Sequence, residues 1–525
     1  MSGYDSFVRD RLPPADQQPE FLLLDFPERL NAAAELLKRG KPGNLAVVND
    51  HGRWTYAELD DFSGRIARLL VEAQGLIPGN RVLLRGPNGY TLFAAWLGVL
   101  KAGGVAVTTM PLLRPGEIAT VIDSAEISHA IVDSRYIGDF RGAMSQTRFI
   151  KHLVKYDGDY GQGELETRCA GLEPLPPVDT HSDDPALVAF TSGTTGIPKG
   201  CIQYHRDIMA PCATFAMAHF LMAPGDIIMC SAPIAFTFGL GATMLFPLYF
   251  GAATATIEQP SAPAMLEAMA KHGVSHLATA PTAYKAMLSQ PGLEEALVTL
   301  RGCLSAGEHL PSATWAAWKA HSGISIVDGI GSTEMMHIFI SESGDAIRPG
   351  STGRAVPGYQ ATVLDEAGWP MDEGEGRLAV KGPTGCRYLD DPRQRSYVEN
   401  GWNLTGDTYR KDREGYFWYL ARSDDMIVSS GYNIGAPEVE NALLGHPAVA
   451  ECAVIGVPCP ERGQKVKAYI VLGANVPPSE ALISELKNFV KETIAPYKYP
   501  REIEFVEALP KTATGKLRRV ELRNQ

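Results

Sequence analysis

Between Thr191 and Gly200 the chain reads Thr-Ser-Gly-Thr-Thr-Gly-Ile-Pro-Lys-Gly, just after an apolar run from Ala186 to Phe190. The short hydroxyls of Thr191, Ser192, Thr194 and Thr195, the backbone N–H groups freed by Gly193 and Gly196, and the Lys199 ammonium are the parts that hold a polyphosphate. The same composition suits a surface linker. It is not a Walker A loop, because Pro198 precedes the lysine and Gly200 stands where that motif puts Ser or Thr. Downstream, Asp328-Gly-Ile-Gly-Ser-Thr-Glu334 closes a strand and then offers a hydroxyl and a carboxylate. A carboxylate beside phosphate implies a cation between them, and Mg2+ prefers oxygen ligands. Thr405-Gly-Asp407 follows, and an aspartate accepting from two vicinal ribose hydroxyls is a common sugar clamp, although most such triplets are turns. Near the C-terminus Lys516 follows a glycine turn in Pro510-Lys-Thr-Ala-Thr-Gly-Lys, which also reads as a solvated basic tail.

The ten residues 191–200 resemble the phosphate loop of the adenylate-forming superfamily, which comprises acyl- and aryl-CoA ligases, carrier-protein adenylation domains and luciferases. The later motifs occur in that family's order over more than three hundred residues. The resemblance implies roles. Thr333 would meet the α-phosphate and Glu334 would hold Mg2+. Asp328, Gly329, Ile330, Gly331 and Ser332 would form the adenine side, with Gly307 and Glu308 of Ser305-Ala-Gly-Glu as a second edge. That second edge also reads as a plain glycine turn. Many relatives carry an aromatic residue at the position of Ile330, which can give only an apolar face. Asp407 and Arg422 would hold the ribose and Asp424 would be a hinge, with Ala421 where the family usually has glycine. Lys516 would bridge the substrate carboxylate and the α-phosphate, where an ammonium offsets the repulsion of two anions. Ser430, Gly431 and Tyr432 would face the pantetheine. The implied reaction uses ATP, Mg2+ and coenzyme A: a carboxylate becomes an acyl-adenylate, and a thiol then displaces AMP.

Asp328 to Phe339 and Ser231-Ala-Pro-Ile-Ala-Phe236-Thr-Phe-Gly-Leu-Gly look like the benzoate-type aryl-CoA ligases, with similarity running from about residue 30 to the end. In that branch Ala235, Phe236, Gly331 and His337 would line the acyl pocket, with Phe236 as a flat wall for an aryl ring. His337 reads equally as a core residue. The leader Tyr4-Asp-Ser-Phe-Val-Arg-Asp-Arg-Leu-Pro-Pro is similar to ligases described as specific for 2-aminobenzoate, which makes that acid the first expectation. Benzoate or a hydroxybenzoate comes next, and a medium-chain aliphatic acid third. Two other classes stand beside this reading: an adenylation module that loads a carrier protein, and a non-catalytic nucleotide-binding relative. Lys516 also resembles a site that lysine acetyltransferases modify, which would remove its charge.

Such residues need rigid elements to hold them. At 525 residues the chain exceeds one comfortable core, so two or more domains are expected. Runs such as Arg81-Val-Leu-Leu, Gly104-Val-Ala-Val-Thr-Thr and His129-Ala-Ile-Val-Asp alternate with helical stretches such as Tyr90 to Leu100. That pattern predicts an α/β fold with mostly parallel sheets. After the glycine-rich loop the sequence predicts helix. From about Gly353 the pattern becomes β-rich, and residues 424–525 read as a separate small α+β lid behind a 1–423 body. The formal charge of −12 argues against nucleic acid or an anionic membrane as partner. Residues 227–257 lack Asp, Glu, Lys and Arg, but Pro233 and Pro247 interrupt them, so a buried α/β segment is expected rather than stable membrane insertion. Eight scattered cysteines without metal spacing, and a leader without an apolar core, point to a reduced cytoplasmic protein. A homodimer is the candidate assembly.

Overall fold

The computed structural model describes residues 3–191, 198–422, 426–429, 432–459, 462–474, 476–494, 496–511 and 517–523. Among them the strands form four sheets. Two are the predicted mostly parallel sheets. In one, Arg81–Arg85, Val105–Thr109, His129–Asp133 and His152–Tyr156 run parallel, and Pro185–Thr191 extends the sheet beside Val105–Thr109. In the other, Ile227–Cys230, Ala253–Ala255, His276–Thr279, Gly302–Ser305 and Ile326–Gly331 run parallel. Their strands are apolar on both faces because helices cover both. The helix Tyr90–Lys101 shows why: all twelve of its residues are buried. Gly89 at its start has no side chain to cap it. Asp159 supplies the cap from a distant loop, accepting from Tyr90 N at 2.9 Å and Thr91 N at 2.8 Å.

The charge-free stretch resolves into the strand Ile227–Cys230, helical turns from Thr237 to Phe250 and the strand Ala253–Ala255. Gly251, at φ 69°, ends the helical part in a left-handed cap. Among the described residues no helix is long and apolar enough to cross a membrane.

One local expectation fails. The segment after the glycine-rich loop is not directly helical: Lys199–Tyr204 is a strand paired antiparallel with Pro185–Thr191, and the helix starts only at His205. Every residue of that strand is buried, so sheet pairing and packing override the helical character of the sequence. The glycine-rich segment therefore joins two strands of a hairpin. The β-rich region is an antiparallel sheet carrying Gln360–Leu364, Gly374–Lys381, Trp402–Lys411 and Phe417–Arg422.

The C-terminal domain has its own sheet, with Val449–Cys459 and Gly463–Leu472 as the long central pair. The helices Ala436–Leu444 and Glu480–Thr493 bury Val439, Leu443, Leu486 and Val490 in a separate apolar cluster with Ile434, Val454 and Ile470. The second helix is capped by Ser479, which accepts from Leu482 N at 3.2 Å. This domain meets the rest of the chain through Asn441 on His309 at 3.0 Å and Lys285 on the Ala450 carbonyl.

A buried ion pair ties the helix that follows the hairpin to the segment between Gly374–Lys381 and Trp402–Lys411 of the β-rich sheet. Arg387 donates to Asp207 at 2.8 Å, with its guanidinium 4.1 Å and 4.3 Å from the rings of Phe21 and Tyr204. Asp207 also accepts from Tyr204 N at 2.9 Å. Replacing Asp207 by Ala strands a buried cation and uncaps a helix. We expect Asp207→Ala to lose about 3–5 kcal/mol of stability in urea denaturation, with Asp207→Asn, which keeps the backbone acceptor, losing less.

Candidate active site

Sheet topology places the reactive residue types at strand ends. In parallel α/β sheets ligands sit outside the carboxyl ends of the strands. Glu308 follows Gly302–Ser305, and the Ser332–His337 turn follows Ile326–Gly331. Thr191 and Lys199 face each other as the last paired residues of the hairpin that holds the glycine-rich segment.

The structure brings Lys199 and Glu334 together. The ammonium lies 3.9 Å from Glu334 Oε1, and between them stands the Tyr388 hydroxyl, which accepts from Lys199 Nζ at 2.8 Å and donates to Glu334. Burial, and then the Glu334 charge, push the Tyr388 phenol far above its ordinary value, so it keeps its proton. The ring of Tyr397 lies 3.9 Å from the ammonium. Gln203, fully buried, fixes the turn from beneath: its Nε2 donates to the Thr333 carbonyl at 2.9 Å and the Glu334 carbonyl at 3.2 Å. Ser332 Oγ accepts from Met335 N at 3.2 Å and closes the turn.

On the expected nucleotide side, Asp328 pairs in register with Ser305 of the neighbouring strand, and its Oδ1 has no hydrogen-bond partner among the described residues. Loss of water raises its carboxyl to about 8. Ile330 packs against the core and pairs with Ile340, and Gly329 and Gly331 leave no room for a side chain beside Ile338 and His337. Gly307 has φ 89° and turns the chain toward Glu308. Asp407 and Arg422 pair across two strands, at 3.1 Å. Burial first, and then Asp407 and more weakly Asp328, hold the phenol of buried Tyr409 above its usual value. Thr191 Oγ1 is likewise buried without a partner among the described residues. Buried polar atoms are normally bonded, so unpartnered ones at strand ends mark places where a ligand can bond.

His337 is buried, and neither of its ring nitrogens has a hydrogen-bond partner among the described residues. It is 2% exposed and ringed by Phe246 at 4.7 Å, Phe215 at 5.6 Å and Phe238 at 5.7 Å. Burial lowers its imidazolium to about 3, offset only in part by the Phe238 backbone, which is near the ring but makes no hydrogen bond of normal geometry with it, so the ring is neutral. Gly241 makes the space: a Cβ there would sit 2.3 Å from His337 Cδ2. Phe236 and Ala235 lie partly buried just ahead of the helical turn Thr237–Leu240, and the aromatic wall against His337 comes from Phe238 instead of Phe236. Met336, at φ 65°, reverses the chain between Glu334 and His337.

Residues 192–196, Asp424, Ser430, Gly431 and Lys516 lie outside the described residues, and Tyr432 is described only as the start of the strand Tyr432–Ile434. Tyr388, Tyr397, Gln203 and Tyr409 escaped the reading of the sequence. Gln203 had a signal, a lone amide in an apolar run, since a buried amide must be bonded. Tyr388 had none, because it sits in an irregular segment far from both partners.

Two family models match the chain: AMP-binding enzyme over residues 35–387 and AMP-binding enzyme C-terminal domain over residues 438–516. A benzoate–CoA ligase of Thauera aromatica is 36% identical over 512 residues, covering 95% of this chain and 97% of that protein. Among solved structures, the anthranilate CoA ligase AuaEII in complex with anthranoyl-AMP superposes with TM-score 0.89 at 33% identity, covering 95% and 98% of the two chains. A benzoate CoA ligase from Burkholderia xenovorans gives TM-score 0.86 at 34% identity, covering 94% and 100%.

The neutral His337 makes a stability prediction. Between its unfolded value near 6.5 and about 3 the unfolded chain binds a proton that the native chain does not, so stability falls as pH falls. The slope from this residue is at most about 1.4 kcal/mol per pH unit. We expect His337→Leu to lose less stability than the parent between pH 6.5 and 4.5 in urea denaturation; identical pH slopes would contradict a buried neutral imidazole.

Proposed function

The chain belongs to the AMP-binding enzymes, as an acid–thiol ligase of the benzoate–CoA ligase-like branch, and from that premise we propose that its preferred acid is 2-aminobenzoate. The observation that carries this reading is the neutral, unpartnered His337 in a box of three phenylalanines. The rings suit a flat aryl group. A neutral imidazole has one acceptor and one donor nitrogen, so it can take a hydrogen bond from an ortho-amino group. The likeness to an anthranilate CoA ligase structure supports the same choice, since anthranilate is 2-aminobenzoate. The benzoate–CoA ligase of Thauera aromatica makes benzoate the second reading.

In the proposed mechanism Lys199, Thr191 and the glycine-rich segment grip the phosphates of ATP. Thr333 meets the α-phosphate. Asp407 and Arg422 hold the ribose, and the strand from Asp328 lines the adenine. Glu334 is the carboxylate beside Lys199, and no group of three metal-binding side chains occurs among the described residues. A single carboxylate with phosphate oxygens and water suits Mg2+. That ion, when bound with ATP, would offset phosphate charge. Lys516 draws the acid and the α-phosphate together. The acid's oxygen then attacks, pyrophosphate leaves, and the CoA thiolate displaces AMP from the acyl-adenylate. Residues 424–525 act as a lid over the 1–423 body, pivoting at Asp424 to withdraw Lys516 and bring Ser430, Gly431 and Tyr432 to the pantetheine. Acetylation of Lys516 would stop the first step alone.

The test is AMP formation, dependent on ATP and CoA, over a panel of benzoate, the three aminobenzoates, hydroxybenzoates and hexanoate. We expect 2-aminobenzoate to lead in kcat/KM. His337→Leu should lower it against benzoate by on the order of tenfold, the worth of one hydrogen bond. A lead for benzoate that His337→Leu leaves unchanged would remove the narrow reading, and a lead for hexanoate would remove the aryl reading. Pyrophosphate release that stalls before AMP would point to a separate carrier protein as the acceptor.

A further inference from the structure

We propose that Tyr388 is a positioning residue whose hydroxyl keeps Lys199 and Glu334 from closing on each other, so that both remain available to the nucleotide. This rests on the reading of Lys199 and Glu334 as phosphate and cation holders.

The two charges sit where water does not screen them. Lys199 is 5% exposed, Tyr388 is fully buried and the Glu334 side chain is 13% exposed. Opposite charges in such surroundings attract far more strongly than in water. A direct ammonium–carboxylate hydrogen bond closes to about 2.7–2.9 Å, yet Nζ and Oε1 stand 3.9 Å apart. The Tyr388 oxygen is interposed, accepting from one and donating to the other.

It is held there firmly. Its backbone N donates to Gln394 Oε1 at 2.9 Å, its strand-like segment bridges to Cys201, and its ring meets Tyr397 edge-on at 5.2 Å. The turn bearing Glu334 is fixed separately by Gln203 through the Thr333 and Glu334 carbonyls. With both backbones pinned, what decides whether the pair closes is the group between the side chains. Bridged through one hydroxyl, the ammonium keeps two of its three N–H donors for phosphate oxygens, and the carboxylate keeps one oxygen for a cation. Paired directly, the two would still have those atoms free, but their charges would neutralise each other at closest range, and a phosphate or a cation would have to compete with a buried ion pair.

Tyr388→Phe removes the hydroxyl and keeps the ring. We expect its affinity for MgATP, read by calorimetry, to fall by on the order of tenfold. KM for ATP should rise while KM for the aromatic acid stays unchanged, and the melting temperature should not drop. In a Glu334→Gln background, where no carboxylate remains to capture the lysine, Tyr388→Phe should cost no further affinity. Unchanged MgATP affinity in the single variant, or full additivity with Glu334→Gln, would overturn the proposal. If the parent itself bound no MgATP, the reading of Lys199 and Glu334 would fail first and take this inference with it. A crystal structure of the nucleotide-free parent gives a check that needs no variant: a gap near 4 Å is expected, and a direct contact under about 3 Å would refute the bridge.

Discussion

Two anions, a carboxylate and a phosphate, repel each other at the distance where a bond must form, and a chain of formal charge −12 has to overcome that locally. Much of the architecture answers this demand. Among the described residues, one cation of the proposed phosphate site is held firmly in place. Lys199 is locked at a hairpin end, covered by an aromatic ring and tied to a phenol. Fixed charges in a water-poor site need no reorganisation when charge develops on a substrate, so they stabilise it more than mobile surface charges do. A negative surface elsewhere does little harm, because salt screens it within about 8–10 Å.

The parallel sheets were legible from the sequence because their strands are β-branched runs bounded by turns, as at Arg81–Arg85, Val105–Thr109 and His129–Asp133. The motifs proposed to carry chemistry could be picked out because each is local: a glycine-rich loop, a strand end with hydroxyl and carboxylate, and an aspartate after a turn. What the chain did not disclose is contact between distant segments. Tyr388 and Glu334 are 54 residues apart, and Asp159 caps a helix 69 residues upstream. Neither follows from periodicity. The segment after the glycine-rich loop has helical character in the sequence, yet Lys199–Tyr204 is a strand. Pairing with Pro185–Thr191 decided the matter.

The sequence left His337 as core or as pocket. It is buried like a core residue, and neither ring nitrogen has a hydrogen-bond partner among the described residues. The cost of an imidazole without partners is reduced by leaving it neutral, which burial enforces. Gly241 then makes room for its ring, much as Gly331 makes room for the His337 backbone.

The short turn from Ser332 to His337 therefore separates two electrostatic environments within six residues. Glu334 faces an ammonium and a phenol, while His337 faces three phenylalanine rings. Side chains three apart on a regular strand would also point to opposite faces, but a strand would carry both along one sheet. The left-handed Met336, at φ 65°, breaks that geometry at a cost of about 1–2 kcal/mol. Glycine would adopt the conformation freely, yet it would surrender the packing of a fully buried side chain. The chain keeps the methionine and accepts the strain, and Gln203 bonding to the Thr333 and Glu334 carbonyls supplies the restraint that a strained turn needs to persist. One buried amide and one reversed residue thus hold the charged surroundings of Glu334 apart from the apolar surroundings of His337.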